Sequence, residues 1–102
     1  ASTRIEVRTP DSACNPYLAF AVIISAGLAG VEGKYELKEN SNPAPLPTDL
    51  AEAITAMEKS ELVKKTLGDD VFEYVLLNKR AEWDEYRKQV SAFELNRYLP
   101  VL

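Results

Sequence analysis

Apolar and polar positions change period along this chain. At the start they alternate: Ile5 and Val7 fall on one side, Arg4, Glu6 and Arg8 on the other. Period two with β-branched residues predicts a short, half-buried strand. Thr9-Pro10-Asp11 should end it, because proline cannot continue a ladder and aspartate favours turns. Asn15-Pro16 predicts a helix start: asparagine caps well, and proline suits the first helical position, where an N–H has no partner to lose. This helix, Pro16 to about Gly30, is apolar nearly all round, the pattern of an element buried on most sides. Its small residues Ala26, Gly27, Ala29 and Gly30 let another backbone come close. A chain of 102 residues holds little material to cover such a helix, so something outside it is expected to do so.

Residues 33–47 are polar and carry three prolines, which predicts a loop or linker. Beyond it the period becomes helical. Asp49 with Glu52 three residues on is a capping-box-like start, and Leu50, Ala53, Ile54 and Met57 share one helical face. Ser60 either caps a second short helix, Glu61 to Leu67, or lies inside one continuous helix; Gly68 suits a C-terminal cap. Asp69 or Asp70 opens the longest helix, with a stripe of Phe72, Leu76, Trp83, Tyr86 and Val90 that reads as core or interface. The mixed-sign run Lys79 to Lys88 reads as a solvated face with neighbouring ion pairs, each worth about 0.3–0.5 kcal/mol. Ser91 and Glu94 form another capping box, predicting a helix near Ala92–Tyr98. Leu99-Pro100-Val101-Leu102 is read as an extended apolar tail that docks on another part of the protein or on another subunit.

Composition narrows the classes. Hydrophobic residues make up 46% and charged residues 27%, ordinary for a globular chain and against disorder along its whole length. A net charge of −4 argues against nucleic-acid binding, which needs a basic face for phosphates. Tyr17–Val31 is too short and too rich in Ala and Gly for a membrane span of roughly 20 apolar residues, and the first eight residues show no signal pattern. The single cysteine, Cys14, excludes an intrachain disulfide, fits a reducing, cytoplasmic setting and is expected to be buried.

Candidate chemistry is sparse. There is no histidine, no CxxC and no glycine-rich phosphate loop. This excludes His-dependent triads and His-containing metal sites built from this chain alone. One constellation remains: Arg4, Glu6 and Arg8, which strand alternation places on one face. A carboxylate there suits Mg²⁺ or Mn²⁺, and the two guanidiniums suit phosphate or a substrate carboxylate. By spacing alone the same trio also reads as an exposed strand face with cross-paired charges.

The stretch Arg4-Ile5-Glu6-Val7-Arg8-Thr9-Pro10-Asp11, followed by Asn15-Pro16-Tyr17-Leu18-Ala19-Phe20, resembles a segment of the glutamine synthetases. Glu58 to Val63, Asn78 to Trp83 and Phe93 to Pro100 are similar to the final third of actinobacterial-type members. The resemblance implies ATP-dependent condensation of glutamate with ammonia through a γ-glutamyl phosphate, with Mg²⁺ or Mn²⁺, in ring oligomers whose sites lie between subunits. It places Glu6 as a metal ligand near the γ-phosphate and Arg8 on the substrate carboxylate or the transferred phosphoryl group. It places Arg4 near the nucleotide. The family's other metal ligands, its ammonium site and most of its nucleotide pocket have no counterpart here. A longer insert is usual where residues 33–47 stand, and Tyr35 lacks the motif of the tyrosine that some bacterial members adenylylate.

The expected fold is mainly α: a short N-terminal strand, then three or four helices, with the apolar helix central and two amphipathic helices packed on it. Residues 1–102 are expected to form one segment, the C-terminal part of the family's α+β catalytic domain, silent in catalysis alone and binding neither ATP nor metal tightly. Its expected partners are the rest of the ligase and neighbouring subunits, with no nucleic acid and no membrane; self-association is expected. The other reading is a standalone helical interaction module derived from that family.

Overall fold

The computed structural model describes residues 2–37 and 42–102. It holds five α-helices: α1 Pro16–Glu32, α2 Leu50–Glu58, α3 Glu61–Leu67, α4 Asp69–Tyr86 and α5 Ala92–Tyr98. A 3₁₀ turn, Leu99–Val101, ends the chain.

Helices α1, α2, α3 and α5 start where a short polar side chain meets orphan backbone donors, whereas α4 follows Gly68 with no side-chain cap. The Asn15 side chain accepts from the Tyr17 and Leu18 N–H groups at 3.0 and 3.3 Å. Asp49 accepts from the Glu52 N–H at 2.8 Å. The returning bond from Glu52 reaches the N–H and hydroxyl of Thr48, one residue before the cap. Ser60 accepts from the Val63 N–H at 3.3 Å, so α2 and α3 are separate helices. At α5 the box is reciprocal: Glu94 N–H donates to the Ser91 hydroxyl at 3.2 Å and Ser91 N–H to the Glu94 carboxylate at 2.8 Å. Gly68 is the only residue between α3 and α4. Its φ of 76° and ψ of 159° lie in a region essentially reserved for glycine.

The core sits among α2, α3 and α4. Ile54, Phe72 and Leu76 are buried, and Leu50, Met57, Val63, Leu67 and Trp83 pack around them. The Arg80 guanidinium donates to the Glu58 carboxylate, tying α4 to the end of α2. Lys64 lies 5.9 Å from the Phe72 ring centre and 3.9 Å from the Asp69 carboxylate across the α3–α4 corner.

Four expectations need correction. No strand occurs among the described residues, and Ile5 is 90% exposed. Alternation supplies the side chains of a strand, but the backbone also needs a neighbour to hydrogen-bond, and none lies alongside. The apolar helix is not central. α1 packs mainly on α3, has no buried residue, and leaves Tyr17, Phe20, Ile24, Leu28 and Val31 exposed along one stripe. α4 stops at Tyr86 rather than reaching Val90: Lys88 and Gln89 N–H groups turn back to Glu85 and Tyr86 carbonyls, three residues away, which tightens the last turn into a stop. The last residues coil into a 3₁₀ turn instead of extending, with the Leu102 N–H donating to the Leu99 carbonyl at 3.3 Å.

The described chain measures 60 × 36 × 27 Å with a radius of gyration of 18.3 Å. A compact chain of 100 residues has about 13 Å. The molecule is therefore an open, elongated helical arrangement with an undersized core.

Candidate functional site

Arg4, Glu6 and Arg8 lie on an irregular exposed segment that leads into α1. Without a strand, alternation no longer places all three on one face. The structure brings two of them together: the Arg8 guanidinium donates to the Glu6 carboxylate. Both side chains are more than half exposed, so the pair contributes at most about 1 kcal/mol and is screened by salt. Arg4 forms no ion pair with any described residue.

The segment turns into α1 through residues 9–15. The Asp11 carboxylate accepts from the Ala13 N–H at 2.8 Å, and the Asp11 carbonyl accepts from the Cys14 N–H at 3.1 Å. The Asn15 cap follows directly. Cys14 is exposed, against the expectation of burial, because this turn lies outside the α2–α4 core. Sequence reasoning missed what lies beneath the turn: an open groove of about 540 Å³, lined by Thr9, Pro10, Cys14 and Leu18 with Met57 and Val63 from the other helices. Its surface is mostly apolar, with Thr9, Cys14 and Asn15 at the turn. The signal available in the sequence was the run Leu18, Ala19, Val22 and Ile23, which faces it. A second crevice of about 560 Å³ between α1 and α3 touches none of Arg4, Glu6 and Arg8.

The donor set does not make a metal site by itself. Hard divalent ions take six or more oxygen ligands. Among the described residues no three Asp, Glu or Cys side chains converge, and the one carboxylate of the trio is already occupied by a guanidinium. No step of a metal-dependent reaction can be derived from these residues alone.

Comparison with known proteins supplies the missing context. The family described as glutamine synthetase, catalytic domain, matches residues 1–98. A glutamine synthetase of Mycolicibacterium smegmatis is 47% identical over 114 residues, covering 97% of this chain and 26% of the relative. A glutamine synthetase of Methanosarcina mazei is 45% identical, covering 98% of the chain and 26% of the relative. One of Staphylococcus aureus is 40% identical, with 96% and 25% covered. The chain thus spans about a quarter of the length of the curated relatives it matches. An alignment of 114 residues exceeds the 102 of the chain, so at least a dozen residues of the Mycolicibacterium protein have no counterpart here. Identity at this level, sustained from the Arg4–Arg8 segment through the last helix, leaves one assignment: the chain belongs to the glutamine synthetase family.

Proposed function

We propose that this chain is the C-terminal segment of an ATP-dependent glutamate–ammonia ligase of nitrogen metabolism, and that it is catalytically silent alone. The observation that carries the reading is identity of 40–47% to glutamine synthetases over nearly the whole chain but only a quarter of theirs. In the complete ligase Glu6 supplies one carboxylate to a Mg²⁺ or Mn²⁺ set, Arg8 binds the substrate carboxylate or the transferred phosphoryl group, and Arg4 lies near ATP. Phosphoryl transfer rests on positioning and on cationic stabilisation of developing charge, which matches these residue types. The remainder of the ligase and neighbouring subunits complete the site and cover the apolar stripe of α1 and the terminal 3₁₀ turn. No described helix is long and apolar enough to cross a membrane, and a cytoplasmic setting accords with the single cysteine.

The test is a glutamine assay with glutamate, ammonia, Mg²⁺ and ATP. The isolated chain should give none, and ATP-dependent turnover by the pure chain would end the reading. The amine is part of the proposal: the relatives are glutamine synthetases, which favours ammonia, and turnover with polyamines in the complete ligase would point to another amine. A second reading, a standalone helical interaction module, draws on the dozen or more residues this chain lacks against its relative. A transcript that runs upstream into a catalytic domain would remove it.

A further inference from the structure

We draw no further inference here: the strongest candidate, the open apolar groove between the residue 9–15 turn and helices α1 to α4, carries nothing, because nothing in the structure shows what covers it.

Discussion

Glu94 is held below the usual glutamate range by the Ser91 backbone N–H and then by the Ser91 hydroxyl, both of which bind the charged form. A carboxylate whose folded pKa lies below its unfolded value stabilises the fold above the unfolded value, about 4.3 for glutamate. That contribution is lost as pH falls through the lowered folded value. Helicity at Ala92–Tyr98 should therefore hold at neutral pH and decline below about pH 4, and Glu94→Gln should flatten the change; pH-dependent circular dichroism of both proteins checks this. The box was legible because it is local: four consecutive residues carry the whole geometry. Cys14 was not, because burial depends on what packs over a turn, and the general tendency of cysteine says nothing about that. Its exposed thiol should react stoichiometrically with a thiol-specific reagent in the folded chain, and protection until unfolding would contradict its placement.

The helices themselves were legible from caps and periodicity, and α1, α2, α3 and α5 begin at the residues their caps indicate. The N-terminal strand was not, since period two describes side chains while a strand exists only as a pair. For the site this matters twice: Glu6 and Arg8 meet across two residues of irregular chain, and Arg4 is left apart. In α1 the composition was right about apolarity and wrong about position. Hydrophobicity on all sides implies covering surface, and the described residues supply it mainly on the α3 side. The consequence at this scale is a sticky helix. Leu28→Glu, 56% exposed at present, should raise the concentration at which the chain associates and leave its melting temperature nearly unchanged, as measured by dilution on a sizing column. By contrast Phe72, 3% exposed at the middle of the core, should cost about 3–5 kcal/mol on replacement by alanine, enough to unfold a chain with so small a core.

Taken whole, the described residues bury three large apolar side chains and expose many more. Light scattering on the purified chain should show association, through the α1 stripe and the Leu99–Leu102 end; a clean monomer would mean that these surfaces tolerate water and would favour the standalone module. Family membership was legible from residues that carry chemistry and caps, Arg4 to Phe20 above all. The architecture was less so, because three quarters of the length of its relatives takes no part in it.

The single-glycine corner at Gly68 bears on how the chain acquires this shape. Two helices joined through one residue have almost no loop to close, so their contact carries little entropic penalty. The α3–α4 corner should accordingly be the folding nucleus, with α1 condensing onto it afterwards. In stopped-flow kinetics Val63→Ala should slow refolding, whereas Leu18→Ala should mainly speed unfolding.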